Sequence, residues 1–201
     1  MLYRLLSPIT NGLLKILTKI FITLHITPNI LTVSGFCINL IAGYLLMKGQ
    51  FLWGAIIVLC ANVFDMLDGL LARESGNITP FGAFLDSVLD RYSDMVLLLG
   101  LFIFYAQEYS TRIMVVIGFA FIGSIMTSYT RARAENLIQH CRVGFLERPE
   151  RIGFIILGGL ANRMPMALFF IAILSNLTVI HRIYHTWSTV KAEKKLKEGM
   201  Q

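Results

Sequence analysis

Four aspartates lie in two apolar stretches of the sequence at spacings that match a helix. Asp65 and Asp68 are three residues apart and Asp86 and Asp90 are four apart, so each pair shares one helical face. Ionised carboxylates in apolar helices repel one another and are costly in lipid unless a cation lies between them. A set of oxygen ligands favours Mg²⁺ or Mn²⁺ over zinc. The pattern therefore predicts a divalent metal site where the two helices meet.

The residues around these aspartates could bind a diphosphate. Gly69 and Gly82 lack side chains, so a bulky ligand could approach the helix backbone there. Arg73 lies on the same predicted helix as the first aspartate pair and offers a planar fork for phosphate oxygens. Helix packing is the commoner role of any one glycine taken alone. Beside a metal site, an arginine and an open backbone together favour a diphosphate ligand.

Two further questions about the acidic residues stay open at this point. The aspartates could instead form buried salt bridges with Arg73, Arg91 or other helices, which is the minor interpretation for four carboxylates at helical spacing. Asp94 continues the helical face of Asp90, so it either contacts the metal-binding carboxylates or is merely solvated. The sequence does not decide between these two roles of Asp94.

The composition indicates that the helices carrying these residues lie in a membrane. Of the 201 residues, 56% are hydrophobic and 15% are charged, and the mean hydropathy is +0.68, which excludes a water-soluble globule. Three scattered cysteines make a disulfide framework or a zinc site implausible. Apolar runs of roughly 17–25 residues are long enough to cross the hydrocarbon core of a bilayer. The first four such runs cover about 31–48, 51–73, 81–106 and 113–131.

After these four runs, a further apolar region extends from Ile152 to about Ile183 and is interrupted at residues 162–165, Asn-Arg-Met-Pro. Proline removes a helical hydrogen bond and arginine is costly in lipid, so we interpret the interruption as a tight turn between two helices. The total is then six spans, with a short fifth helix unless that helix begins near Glu147. A single kinked helix in this region would give five.

The distribution of basic residues predicts the orientation. With six spans, 14 of the 18 Lys and Arg residues lie on the N-terminal side and 3 on the opposite side. The positive-inside rule then places both termini in the cytoplasm, whereas five spans would divide the basic set. We therefore predict an all-α, multi-pass protein of the cell membrane with its site on the cytoplasmic side. Its single membrane domain comprises an N-terminal interfacial amphipathic helix (1–27), a six-helix bundle (28–190) and a basic cytoplasmic tail (191–201).

Together the acidic and glycine residues match a known signature, Asp65-x-x-Asp68-Gly69-x-x-Ala72-Arg73-x8-Gly82-x-x-x-Asp86-x-x-x-Asp90. With every position filled and every spacing kept, the pattern resembles that of the CDP-alcohol phosphotransferase family. The segment Pro28-Asn29-Ile30-Leu31-Thr32 resembles the usual start of the family's first helix. The resemblance covers nearly the whole chain. It implies six transmembrane helices that follow an N-terminal interfacial helix.

The resemblance also implies an activity and the residues that perform it. Family members transfer a phosphatidyl group from a CDP-linked lipid, here CDP-diacylglycerol or CDP-archaeol, to an alcohol and release CMP. The implied cofactors are two Mg²⁺ or Mn²⁺ ions, and Asp90 is also the implied general base. The implied metal ligands are Asp65, Asp68, Asp86 and Asp90. The implied nucleotide-binding residues are Pro28, Asn29, Ile30, Leu31, Gly69, Arg73 and Thr79. A homodimer embedded in membrane lipid is implied, and no nucleic-acid partner is expected.

A set of arginines indicates which alcohol is the acceptor. Arg131 ends the fourth span, Arg151 begins the fifth, and Arg182 lies deep near the end of the last. Their placement predicts a pocket for an anionic acceptor, an alcohol that already carries a phosphate. The surrounding sequence resembles the prokaryotic phosphatidylinositol-phosphate synthases of the family. This resemblance implies L-myo-inositol 1-phosphate as the acceptor and the three arginines as its phosphate pocket.

Two alternatives to this function remain. Glycerol 3-phosphate is also anionic, and its use would make the chain a phosphatidylglycerophosphate synthase. A non-catalytic lipid-binding or transport protein is the alternative of another class. It is disfavoured because the carboxylates lie toward one face of the membrane and no inverted halves match. The sequence leaves the ester or ether chemistry of the lipid open.

Overall fold

The computed structural model describes residues 17–198, and these residues form an all-helical bundle. Residues 17–23 are helical, and six longer helices follow. They are α1 (Pro28–Met47), α2 (Phe51–Glu74), α3 (Pro80–Gln107), α4 (Thr111–Ala134), α5 (Arg148–Leu160) and α6 (Met164–Glu198). The all-α prediction is confirmed. The predicted interfacial helix at 1–27 lies mostly outside the described residues.

A tight turn separates α5 from α6, as the interruption at residues 162–165 predicted. Asn162 adopts φ 52°, and the N–H groups of Asn162 and Arg163 donate to the carbonyls of Gly159 (3.3 Å) and Gly158 (2.8 Å). These bonds satisfy carbonyls that the end of a helix leaves free. Pro165 then lies in the first turn of α6, where a missing N–H is tolerated. The alternative of one kinked helix is therefore wrong.

The fifth helix begins where the sequence suggested, next to Glu147. Glu147 is the N-cap of α5 and forms a capping box with Glu150, and Pro149 lies in the first turn. The helix has 13 residues, which at 1.5 Å per residue is about 20 Å. It is shorter than the hydrocarbon core of a typical bilayer, about 30 Å thick.

Four of the helices are long and apolar enough to cross a membrane, so the chain is a multi-pass membrane protein. They are α1, α2, α4 and residues Met164–Ala192 of α6. Helix α3 has 28 residues, but its first half carries Asp86, Asp90, Arg91 and Asp94. A topology of six spans would therefore require that α3, which carries charges, and α5, which is short, cross the membrane packed against the other helices and not exposed to lipid.

The connectivity gathers the predicted site at one end of the bundle. Helix α1 packs against α2 and α3, α4 packs along α6, and α5 contacts α2 and α6. The C-terminal end of α2 and the N-terminal end of α3 meet at residues 75–79, and α4 and α5 are joined at the same end by residues 135–147. Helix α6 starts at the opposite end and reaches this end near Arg182. Every predicted site residue therefore lies near this same end of the bundle.

Candidate active site

Three carboxylates from α2 and α3 converge at this end. Asp65, Asp68 and Asp86 each offer an oxygen, and these oxygens all lie within 4.8 Å of one another. Asp68 is only 6% exposed, and its Oδ2 is buried without a hydrogen-bond partner. A buried carboxylate oxygen without a partner is costly unless something else pairs with it. Three convergent carboxylates therefore fit a hard divalent cation.

A cavity of about 230 Å³ opens beside Asp68 and Asp86, and we call it the Asp68 cavity. Thr79 caps α3 by accepting a hydrogen bond from the N–H of Gly82 (3.0 Å). A Cβ on Gly82 would lie 3.1 Å from Asn29 Oδ1, so glycine allows α1 and α3 to approach closely here. Five of the seven predicted nucleotide-binding residues line this cavity, namely Pro28, Asn29, Gly69, Arg73 and Thr79.

The other two predicted nucleotide-binding residues, Ile30 and Leu31, do not line the Asp68 cavity. Ile30 is 54% exposed on the outside of the bundle. Leu31 is buried in an apolar cluster with Leu67 and Leu71. Successive helical residues rotate by about 100°, so a helix that turns Pro28 and Asn29 toward the cavity turns the next two away from it.

A second, larger cavity of about 550 Å³ lies further along α3, and we call it the Arg131 cavity. Asp90 faces it, one helical turn after Asp86, which lines the Asp68 cavity. The three arginines predicted to bind the acceptor phosphate line the same cavity, namely Arg131, Arg151 and Arg182. The structure thus brings the predicted base and the predicted arginines together.

Arg148, which the sequence did not single out, connects the acidic residues. One of its guanidinium nitrogens lies 2.9 Å from Asp65 Oδ2 and 2.7 Å from Asp90 Oδ1, and its Nε lies 3.6 Å from Asp94 Oδ1. Asp65 and Asp90 therefore both pair with this arginine, and Asp65 also belongs to the convergent group with Asp68 and Asp86. The bond to Asp65 joins residues 83 positions apart, which helical spacing alone cannot predict.

The structure also answers the open question about Asp94. Its carboxylate lies 2.7 Å from the guanidinium of Arg151, and both side chains are almost fully buried. Arg151 donates a second hydrogen bond to Thr127 Oγ1 at 3.0 Å. Asp94 is thus neither solvated nor part of the convergent carboxylate group. It holds Arg151 in the wall of the Arg131 cavity.

Arg131 and Arg182 converge on the carboxylate of Glu147. Glu147 Oε1 lies 2.9 Å from Arg182 and 3.6 Å from Arg131. Arg131 also donates from Nε to Glu135 at 3.1 Å, and this bond is the main reason that the pKa of Glu135 is lowered. The side chain of Arg182 is only 3% exposed, whereas that of Arg131 is 39% exposed. The cavity thus presents one buried and one accessible guanidinium to a shared anion.

Comparison with known proteins agrees with this geometry. Residues 25–192 match the family model of the CDP-alcohol phosphatidyltransferases. The chain belongs to this family. It is 38% identical over 183 residues to the archaetidylinositol phosphate synthase of Pyrococcus horikoshii, and the match covers 90% of this chain and 91% of the relative.

Two crystal structures of the Mycobacterium tuberculosis phosphatidylinositol phosphate synthase share the fold at 29% identity. The one with CDP-DAG bound has a TM-score of 0.78 and covers 92% of this chain and 94% of its own. The one in complex with manganese and citrate has a TM-score of 0.80 and covers 85% and 87%. The predicted family is therefore confirmed, and the chain is a membrane-embedded phosphatidyltransferase that uses a CDP-linked donor.

Proposed function

We propose that this enzyme transfers the lipid phosphate of a CDP-linked lipid to L-myo-inositol 1-phosphate and releases CMP. The observation that carries the proposal is the pair of cavities that follow one another along α3, one beside the convergent carboxylates and one beside Asp90 and the arginines. The names of the relatives support the same reaction, since they are synthases of archaetidylinositol phosphate and phosphatidylinositol phosphate.

The Asp68 cavity is the proposed site of the cytidine nucleotide. Arg73 lies within it beside the open backbone of Gly69, where a Cβ would come no closer than 3.8 Å to the guanidinium. Asn29 and Thr79 add polar groups from α1 and from the start of α3. The CDP-DAG bound to the mycobacterial relative supports a CDP-linked lipid as the donor. Both CDP-diacylglycerol and CDP-archaeol satisfy this chemistry.

Asp65, Asp68 and Asp86 are the proposed ligands of Mg²⁺ or Mn²⁺, with Asp90 completing the site for a second ion. Manganese in the mycobacterial relative supports a divalent metal, and the convergent oxygens supply the hard ligands it prefers. When bound, such ions polarise the diphosphate and stabilise the charge that develops on its oxygens. Asp90 would offer such an ion its other oxygen, because a guanidinium nitrogen of Arg148 lies 2.7 Å from its Oδ1.

Asp90 is the proposed general base. It faces the Arg131 cavity, from which the acceptor hydroxyl would approach. Asp90 takes the proton of that hydroxyl, the oxygen forms a bond to the phosphorus that carries the lipid, and the bond from that phosphorus to CMP breaks. Because Asp86 lies one turn earlier at the other cavity, α3 places the base between the two substrates.

Arg131, Arg151 and Arg182 are the proposed phosphate pocket of the acceptor. Arg131 and Arg182 already converge on one anionic group, the carboxylate of Glu147, which supports their binding of a phosphate in the same place. Arg151 adds its charge from a fixed position against Asp94. Glycerol 3-phosphate would satisfy the same arginines and is the second candidate acceptor, although the named relatives favour inositol phosphate.

We further propose that all six helices span the membrane, that the site and both termini face the cytoplasm, and that the enzyme is a homodimer. The acidic residues of α3 are paired or turned toward the cavities, which lowers the cost of placing that helix in lipid. The charge asymmetry supports the orientation, because a topology of six spans assigns 14 of the 18 basic residues to the side of the site. The homodimer rests on the family resemblance alone.

The deciding experiment offers several acceptors to the purified enzyme in parallel. CDP-diacylglycerol and CDP-archaeol are supplied with Mg²⁺ and with inositol 1-phosphate, glycerol 3-phosphate, serine or free inositol. CMP release gives the rate, and mass spectrometry identifies the lipid product. We expect rapid transfer to inositol 1-phosphate and none to free inositol. Faster use of glycerol 3-phosphate would replace the proposed acceptor, and use of free inositol would refute the anionic pocket.

A further inference from the structure

Glu147 occupies the place between Arg131 and Arg182 that a phosphate would take. Its Oε1 lies 2.9 Å from one guanidinium and 3.6 Å from the other. Its side chain is 44% exposed, so it can exchange this position for solvent. Arg182 is only 3% exposed, but it also donates from Nε to the carbonyl of Val143 (2.8 Å) and from a second nitrogen to the carbonyl of Thr127. Its guanidinium therefore keeps partners when the Glu147 carboxylate moves away.

Hydrogen bonds hold the backbone around Glu147, so the carboxylate can leave the arginines by a movement of its side chain alone. The N–H groups of Phe145 and Leu146 both donate to Thr178 Oγ1 on α6 at 3.0 Å. The N–H of Glu147 itself donates to the carboxylate of Glu150 at 2.9 Å within the capping box. These bonds hold the start of α5 in place whether or not the Glu147 carboxylate contacts the arginines.

A phosphate monoester and a carboxylate compete unequally for two arginines. The phosphate carries about −1.5 to −2 charges at neutral pH and three strong acceptor oxygens. The carboxylate carries one charge and two oxygens. A phosphate can therefore displace Glu147, a single carboxylate has no such advantage, and a neutral alcohol has no means to displace it.

We infer that Glu147 is a specificity-determining residue. Its carboxylate occupies the phosphate position of the acceptor pocket until the phosphate of an acceptor displaces it. The inference rests on the proposed function, because it takes the Arg131 cavity as the site of the acceptor phosphate. It predicts that the pocket, despite its positive charge, binds weaker anions poorly. It also distinguishes Glu147 from a residue that only stabilises the loop, since removal of a stabilising residue would weaken acceptor binding and removal of a competitor strengthens it.

The test measures binding of inorganic phosphate to the purified full-length enzyme by calorimetry, without donor lipid or turnover. Glu147→Gln keeps the size of the side chain, and Glu147→Ser keeps a good N-cap for α5. We expect both variants to lower the Kd for phosphate about three- to tenfold, as loss of a partly exposed ionic competitor would. The matched control is Glu150→Gln, which removes the same charge from the same capping box and keeps the box intact. Its Kd should stay within about twofold of the wild type.

A second measurement uses acetate as a replacement for the missing carboxylate. In Glu147→Ser, acetate should compete with the acceptor and raise the acceptor KM. In the wild type, acetate should leave the acceptor KM unchanged. An unchanged or raised Kd for phosphate in both Glu147 variants would overturn the inference, and so would an equal effect of Glu150→Gln. If the variants bind phosphate more tightly but the enzyme uses glycerol 3-phosphate and not inositol phosphate, the role of Glu147 stands and the proposed acceptor falls.

Discussion

Asp86 and Asp90 are one turn apart on α3 but line different cavities, and only Asp90 is the proposed general base. Asp90→Asn keeps the shape of the side chain but removes its ability to accept a proton. We expect kcat to fall by about 10²- to 10⁴-fold, the usual contribution of a general base, while the affinity for the CDP-lipid is nearly unchanged. The measurement pairs CMP release with direct binding of the CDP-lipid. Turnover near the wild-type rate would remove Asp90 from this role.

Asp68 gives the clearest test of the metal site, because no ion pair to it is found among the described residues and its Oδ2 is buried without a partner. Asp68→Asn should weaken Mn²⁺ binding at least about tenfold, since one charged oxygen ligand is lost from a three-carboxylate group. Electron paramagnetic resonance of bound Mn²⁺ measures this without turnover. Glu74→Gln is the control, because Glu74 is exposed on the same helix and lies outside the group. Equal Mn²⁺ affinity in Asp68→Asn and Glu74→Gln would contradict the assignment.

Arg131 is the arginine whose removal tests the acceptor pocket without threatening the fold, because its side chain is 39% exposed. A charge-assisted hydrogen bond contributes about 1.5–3 kcal/mol, so Arg131→Ala should raise the acceptor KM about ten- to a hundredfold. The KM for the CDP-lipid should stay the same, because that substrate binds at the other cavity. Steady-state kinetics with each substrate varied in turn measures both values. Parallel weakening of both substrates would mean that the arginine does not act on the acceptor alone.

Arg151 is less suitable for such a test, and the reason shows what the sequence could not supply. Its pairing with Asp94 is buried and joins residues 57 positions apart, so Arg151→Ala would leave an uncompensated charge and destabilise the protein by about 3–5 kcal/mol. Helical spacing predicted the face that Asp94 shares with Asp90, but not its partner on another helix. The bridging position of Arg148 was missed for the same reason. Contacts within a helix follow from spacing, whereas contacts between distant helices depend on how the helices pack.

At the scale of the helices, the apolar runs of the sequence predicted the bounds of α1 to α4. The first four predicted spans agree with α1 to α4 to within three residues at each end, because the polar turns that end them interrupt the apolar runs. Helix α5 was the difficult case, since its first turn is polar and only the capping box of Glu147 and Glu150 marks its start. The same first turn carries Arg148 and Arg151, which explains why a site helix is short and weakly apolar.

The crossing of α1 and α3 sets the position of the carboxylates on α3. A Cβ on Gly100 would lie 2.2 Å from the carbonyl oxygen of Gly43, and the neighbour is backbone that cannot rotate away. Gly100→Ala should therefore push the helices apart and destabilise the protein by about 1–3 kcal/mol, a fall in Tm of about 3–10 °C. Thermal unfolding in detergent measures it. Gly118→Ala is the control, because nothing lies within 4 Å of its Cβ, and a Tm equal to that control would contradict the close crossing.

At the scale of the whole molecule, the positive charge and the candidate active site lie at the same end of the helical bundle. The convergent carboxylates, the arginines of the Arg131 cavity and most of the other basic residues in the described part of the chain lie at the same end of the bundle, and Tyr109 and Asn162 mark turns at the other end. A phosphorylated sugar alcohol and a nucleotide are water-soluble, so the site must open to the compartment that contains them. The proposed orientation brings the positive-inside rule and the location of these substrates into agreement.

Cysteine labelling tests this orientation together with the count of six spans. The native cysteines are first replaced by serine; these are Cys37, Cys60 and Cys141. Single cysteines are then placed at Tyr109, which is 93% exposed between α3 and α4, at Asn162 between α5 and α6, and at Leu137, which is 66% exposed between α4 and α5. In intact cells a membrane-impermeant maleimide should label positions 109 and 162, and it should label position 137 only after permeabilisation. Because α5 is only about 20 Å long, position 162 decides whether that helix crosses. Protection of position 162 in intact cells would reduce the count of spans, and labelling of position 137 would reverse the orientation.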